Sequence, residues 1–475
     1  VAYIAPLTSY IVYRNGKVDN NLRVMTPEHL RFFFATNLNK LGMKIETERR
    51  DPHELGPPVK VFGHGGADER VDAARLVQAR QTPGLTAARE ILAEGLAGRA
   101  TAIMLDYTAG GANLRTMIDG VWIPREARGR DTADPALESL KVLCGMNPQD
   151  RQGRQQGAFV AEYESARYSA TLATQGTPTG ERALVQFEAK KVRFKDMDEL
   201  GMRAKLQEDL RQGLDAPQGF VLLSGMPGGG LRSTTDVVLR SCDRFTREYA
   251  AVEDEGNRYE DVENIPVTTY KSAEGQTPAD VLPKFFRTEP NVAIVRDLVN
   301  ADTVSLMCDE VADNRLMIGT VRAKDCAEAL LRVLALGVPA EEFAKAVTVV
   351  MCQRLVRKLC DACKEAYAPA PQILQQLGIP EGRVQAFYRP FQPNPEEPKE
   401  PCQHCGAIGY YGRTAIFEQL IVGDAVRAAL VSTPNLKAVR QAARRDGMKS
   451  LQEEGVLLVA KGVTSLPELM RVLKQ

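Results

Sequence analysis

The chain has 475 residues, of which 61 are Lys or Arg and 61 are Asp or Glu, so its formal charge at neutral pH is zero. That balance excludes a general electrostatic grip on nucleic acid. No apolar run approaches the ~20 residues of a membrane-spanning helix, and the length suits about two to four domains. Nine cysteines, five scattered and four in two pairs, exclude a secreted disulfide scaffold and fit a reducing compartment with one metal site.

The opening residues lack the basic start and apolar centre of a signal peptide. Residues 1–45 read as a small α/β domain. The apolar run Tyr10–Tyr13 predicts a strand, Asn15-Gly16 a hairpin turn, and Thr26-Pro27 a helix start closed by Gly42. Residues 46–82 are polar and rich in Pro and Gly, which predicts a linker with one helix near Val71–Ala79. His53 and His64 fall here without a third ligand nearby, so a solvated loop is the reading. Residues 83–200 predict an α+β domain, with a helix over Ala87–Leu96 and strands at Ala102–Asp106, Asn113–Ile118 and Arg182–Phe187. Asp119-Gly120 is a turn dipeptide, and Trp122 beside it reads as packing.

Residues 201–358 carry the stretch that organises the chain, GFVLLSGMPGGGLRSTT over 219–235. A buried strand, a glycine-rich loop and a helix in succession make a P-loop, whose backbone N–H groups curl around phosphate. Gly225, Gly228, Gly229 and Gly230 form the loop; Leu231, Arg232, Ser233 and Thr234 open the helix. A working P-loop needs Lys and then Ser or Thr after its last glycine. Without a gap, Leu231 takes the lysine position and Arg232 the hydroxyl position. With one inserted residue, Arg232 stands for lysine and Ser233 for the hydroxyl. Neither register supplies lysine, and the residues alone also allow a glycine turn that binds nothing.

Further strands are predicted at Tyr249–Val252, Val292–Val295 and Leu316–Thr320. Glu253-Asp254-Glu255 follow the first, Arg296-Asp297 the second and Arg322 the last. Strands alternating with helical stretches predict a largely parallel sheet whose ligand edge lies at the strand C-termini. There Glu253 can orient a water and Asp297 can partner magnesium.

Cys360-x-x-Cys363 and Cys402-x-x-Cys405 form two thiolate clips, a ligand set for structural zinc within residues 359–412; His404 is a candidate substitute for one thiolate. Residues 413–475 read as mostly helical, at 425–431, 436–445 and 466–473. The basic run Lys437, Arg440, Arg444 and Arg445 reads as a solvated helix face.

In this order the pieces resemble the type II secretion and type IV pilus assembly ATPase family. The most specific segments are QRLVRKLCDACK (353–364) and GYYGRTAIFE (409–418), which frame the cysteine clips. Ile118-Asp119-Gly120, TPTGER (177–182), Val252-Glu253-Asp254 and the approach from Gly275 through Arg287 to Pro290 agree. The resemblance spans residues 85–475 and implies a RecA-like P-loop motor core behind an α+β domain. It also implies a hexameric ring, homomeric or mixed, on secretion or pilus platform proteins at the inner membrane, cytoplasmic, with ATP, magnesium and zinc as ligands. Arg287 keeps a family arginine of the catalytic site. Departures cluster at that site: the Walker lysine is absent, Arg296-Asp297 replaces Gly-Glu, Arg315 and Arg322 replace two histidines, and Pro283 and Ala158 replace arginines. Weak or altered hydrolysis follows, with Arg232, Arg296, Arg315 and Arg322 as candidate compensation. The alternative is a catalytically inactive ring component.

Overall fold

The computed structural model describes residues 4–15, 24–26, 30, 57–189, 194–380, 382–392 and 400–474. They divide into two compact units, 1–190 and 191–475.

In the first unit the described N-terminal segment is a helix, Ile4–Asn15, not the strand expected at Tyr10–Tyr13. A short apolar run fits either period, and here the helical one prevails. Gly16 and, apart from Leu30, residues 27–50 lie outside the described residues, so the hairpin turn does too; of the helix expected from Thr26, Leu30 is helical, its N–H donating to Thr26 O at 3.0 Å. The stretch read as linker contains a strand, β1 (Val59–His64), and a helix, Glu69–Gln81, capped by Asp68. The remaining strands are β2 (Ala102–Thr108), β3 (Gly111–Ile118), β4 (Val121–Pro124), β5 (Gln155–Tyr163), β6 (Ala166–Thr177) and β7 (Gly180–Ala189). They form one antiparallel seven-stranded sheet in the order β1-β5-β6-β7-β2-β3-β4. Asp119 and Gly120, both at positive φ (51° and 80°), make the two-residue turn between β3 and β4. Burial alternates along β2 and β3 because one face is covered by helices Leu85–Ala97 and Arg130–Leu143. Lys141 and Glu181 pair at 2.5 Å, both almost wholly buried.

The second unit is built on β8 (Gly219–Gly225), β9 (Tyr249–Asp254), β10 (Val267–Tyr270), β11 (Val292–Val295), β12 (Leu316–Val321), β13 (Val347–Leu359) and β16 (Tyr410–Ile421), with a small hairpin of β14 (Glu365–Tyr367) and β15 (Phe387–Arg389). The large sheet runs β10-β9-β11-β12-β8-β13-β16. All neighbours are parallel except β13 and β16. Its central strands read as unbroken apolar runs because both faces are covered. Phe220 and Leu222 pack into one core, Val221 and Leu223 into another on the opposite face. Each such side chain contributes roughly 1.5–3 kcal/mol on burial.

The strand β16 corrects the helical expectation for the start of residues 413–475. It pairs with β13 over most of its length, and the helices follow at Asp424–Ser432, Leu436–Arg445, Leu451–Ala460 and Leu466–Leu473. Glu418 on β16 is 3% exposed. One carboxylate oxygen accepts from Cys326 N (2.8 Å), the other from Leu451 N (3.1 Å), the first residues of helices Cys326–Leu334 and Leu451–Ala460. One buried carboxylate thus satisfies orphan donors at two helix N-termini, whose dipoles favour its charge. Burial raises its pKa above the ordinary carboxylate range, only partly offset by the Cys326 N–H. Among the described residues no helix is long and apolar enough to cross a membrane.

Candidate functional site

The C-terminal edge of the parallel strands gathers the glycine loop and the acidic residues. Gly225 ends β8, and the helix Leu231–Ser241 begins directly after Gly230. Four residues therefore separate Gly225 from Gly230, and no residue intervenes before the helix. Gly228 (φ 75°) and Gly230 (φ 83°) are left-handed, which a side chain would strain. No side chain caps this helix, so its first N–H groups face the loop mouth. The fully buried Gln353 on β13 braces the loop, donating from Nε2 to Gly229 O at 2.7 Å.

Leu231 is half-buried and packs into the core beneath. Arg232 and Ser233 are exposed, whereas Thr234 is 1% exposed. The Arg232 guanidinium lies across the β9–β10 connection. It donates to Asn257 Oδ1 (2.9 Å) and Arg258 O (3.0 Å) and sits 4.4 Å from the centre of the Tyr259 ring. These partners are all uncharged, and Arg232 makes no ion pair among the described residues.

Beneath it lies a buried charge cluster. Arg296 is 3% exposed and directs Nη1 to Asp236 Oδ1 at 2.8 Å; its Nε is 3.3 Å from Glu253 Oε1 without the alignment of a hydrogen bond. Its guanidinium also lies 3.9 Å from the Tyr259 ring centre. Glu253, 2% exposed, accepts through Oε2 from Arg258 Nε and Tyr259 N, both at 3.1 Å. Burial raises the Asp236 carboxyl, and attraction to Arg296 offsets only part of that rise. Burial and the neighbouring Asp297 raise the Tyr259 hydroxyl against the pull of its two guanidiniums. Glu253 is thus paired with two guanidiniums: its Oε2 accepts two hydrogen bonds, while its Oε1 faces Arg296 without one.

Asp297 follows β11 in a left-handed conformation (φ 70°), and its N–H donates to Thr320 Oγ1 at 2.9 Å. Asp254 is spent locally, accepting from Ser272 N and Oγ and from Gly256 N. Arg287 is exposed on a short 3-10 turn, Phe286–Thr288. Arg322 is exposed just past β12. Arg315 precedes β12, at the opposite end of the strand, and pairs with Glu310; that position rules it out as compensation at the loop. Asp236, Arg258 and Tyr259 were not singled out from the sequence, and Gln353 only as part of the family segment 353–364. A polar Asp236 on the inner face of the helix, beside Val237 and Val238, was the available signal.

The four cysteines form the second cluster. Cys360 directly follows β13 and Cys405 lies just before β16, so the clips close the mouth of this strand pair; Cys360 N donates to Gly409 O at 3.0 Å. All four Sγ atoms lie within 4.8 Å of one another. Cys360 and Cys402 are 3.9 Å apart, and Cys363 and Cys405 3.7 Å. A tetrahedral zinc with Zn–S near 2.3 Å requires S···S edges of roughly 3.8 Å. The set can therefore chelate a metal ion, and its spacing fits zinc. Gly409 N donates to Cys405 Sγ at 3.3 Å. His404 stacks on Tyr411 instead, with ring centres 4.2 Å apart, and stands outside the cluster.

A model of the Type II/IV secretion system protein family matches residues 78–471, most of the chain. The chain belongs to this family. It is 26% identical over 419 residues to the Type IV pilus assembly ATPase PilB of Thermus thermophilus, covering 88% of this chain but only 46% of that protein, so the chain spans about half the length of that relative. It is 27% identical over 397 residues to the Protein transport protein HofB homolog of Escherichia coli K12, covering 84% of this chain and 83% of that one. The fold is similar to that of the Legionella pneumophila ATPase DotB, at 13% identity and TM-score 0.53, covering 81% of this chain and 94% of the other. The Yersinia pseudotuberculosis DotB gives TM-score 0.53 at 11% identity, with 91% and 97% covered.

Proposed function

We propose that the chain is a subunit of a type II secretion or type IV pilus-like assembly that binds ATP at the glycine loop and hydrolyses it weakly or not at all. The observation that carries this reading is the pairing of Glu253 with two guanidiniums. The acid best placed to orient an attacking water is held by Arg258, the Tyr259 N–H and Arg296. Leu231 in the position after Gly230 removes the phosphate lysine as well. Loss of one transition-state contact costs about 2.7–4 kcal/mol, and two such losses leave little turnover. Family membership supports the secretion or pilus setting, and the relatives' names associate that setting with ATPases. On this reading the core is RecA-like, and the subunit sits in a homomeric or mixed hexamer, cytoplasmic, on inner-membrane platform proteins. Zinc at Cys360, Cys363, Cys402 and Cys405 is structural.

The test is magnesium-dependent ATP turnover by the zinc-loaded chain beside its Asp297→Asn variant, since Asn tolerates the left-handed backbone there. The expected result is turnover at most slightly above the variant's. Turnover of about 1 per second or more that vanishes in the variant would make this a working motor and refute the proposal.

A further inference from the structure

We infer that the glycine loop takes a nucleoside phosphate without a divalent cation, the Arg232 guanidinium supplying the charge that magnesium supplies in a working P-loop. The inference rests on the reading that this loop holds ATP. It begins with position. The helix starts at Leu231 with no inserted residue, so Arg232 occupies the place of the magnesium-binding hydroxyl.

In a P-loop magnesium is held by the Ser or Thr hydroxyl, the phosphates, water and a nearby carboxylate, and Arg232 replaces that hydroxyl with a cation. Asp236 and Glu253 are bound to Arg296, and Asp254 is bound to Ser272 and Gly256. Among the acids at this edge Asp254, Glu255 and Asp297 make no ion pair among the described residues, but a cation beside the glycine loop would meet the guanidiniums of Arg232 and Arg296.

The state of Arg232 is the independent observation. It is an exposed, fully charged group on the first turn of an uncapped helix, and its contacts are an amide oxygen, a carbonyl and an aromatic ring. A guanidinium with no counter-ion exchanges neutral partners for phosphate at a gain, because charge-assisted bidentate bonds are about twice as strong. The helix N-terminus adds unpaired N–H donors to the same anion. Arg232 swings from Tyr259 to the phosphates as they enter, while the buried Arg296 stays fixed beneath.

The experiment is calorimetric titration of ATP and ADP into the full zinc-loaded chain, with magnesium chloride and without added divalent cation, omitting chelators so that zinc is retained. Wild-type affinity is expected to agree within about twofold in the two conditions. Arg232→Ala is expected to weaken it roughly tenfold in both, the loss of one charged hydrogen-bonding partner. Arg232→Ser, which returns the hydroxyl, is expected to make binding magnesium-dependent. Wild-type binding that requires magnesium, binding indifferent to Arg232→Ala, or no binding in either condition would overturn the inference. Turnover of about 1 per second or more in the same cell would refute the preceding proposal and leave this inference standing; magnesium-dependent binding without turnover would do the reverse.

Discussion

Substituting Arg296 by methionine tests the buried cluster most sharply, because the change keeps volume and removes only the charge. Asp236 then loses its one close cationic partner, whereas Glu253 keeps Arg258 and the Tyr259 N–H. Stripping one member from a buried pair costs about 3–5 kcal/mol. Protonation caps the loss, since lifting a carboxyl from ~4 to 7 costs roughly 4 kcal/mol. The sign is set by the raised folded pKa of Asp236. A group whose folded pKa exceeds its unfolded value binds its proton more tightly when folded, and that contribution is lost as pH rises through the folded pKa. Without Arg296 the folded value climbs further, so the deficit should be largest at pH 8 and shrink by about 1.4 kcal/mol per unit of pH on acidification. Urea unfolding of both proteins at several pH values, followed by far-UV circular dichroism, measures this. Adding Asp236→Asn should recover most of the loss. A deficit under about 1 kcal/mol at pH 8, or one unchanged down to pH 5, would refute the account of Asp236 as the strained partner.

Two further predictions concern the C-terminal half. The protein should carry one zinc per chain by elemental analysis; Cys363→Ser should lower occupancy and stability together, whereas His404→Ala should retain the metal. Glu468 on the helix Leu466–Leu473 accepts from Arg357 and Arg471. Burial alone would raise its carboxyl, but these bonds outweigh burial and leave it below the usual range. Its stabilisation is therefore full above the unfolded pKa and fades as pH falls through the depressed folded value, and Glu468→Gln should flatten that acid limb in thermal melts.

The parallel strands β8, β9, β11 and β12 were legible because burial on both faces writes a continuous apolar run, as in Val292–Val295. The strands β1, β5, β6, β10, β13 and β16 were not. Val59–His64 stands among prolines and glycines, and its partner β5 lies about a hundred residues away in sequence. Tyr410–Ile421 carries Arg413, Glu418 and Gln419 among its apolar residues, and Glu418 finds its donors only in the folded unit. At the site, the cysteine clips could be read locally because each pair is a motif in itself. The charge cluster could not, since Asp236, Glu253 and Arg296 meet from a helix and two separate strands. Arg315 illustrates an avoidable misreading: counting from the start of its strand places it at the far end.

The double cap on Glu418 bears on how this polypeptide matures during synthesis. The helix Cys326–Leu334 leaves the ribosome 92 residues ahead of the carboxylate that completes its N-terminus. Arg203, near the start of the second unit, waits still longer for Glu454, 251 positions downstream. At ~5–20 residues per second the early strands spend several seconds without these partners, with apolar surface exposed in the interval. A nascent chain halted before β16 should thus be a client for chaperones and proteases, and the second unit acquires its resistance to them only when its last helices arrive.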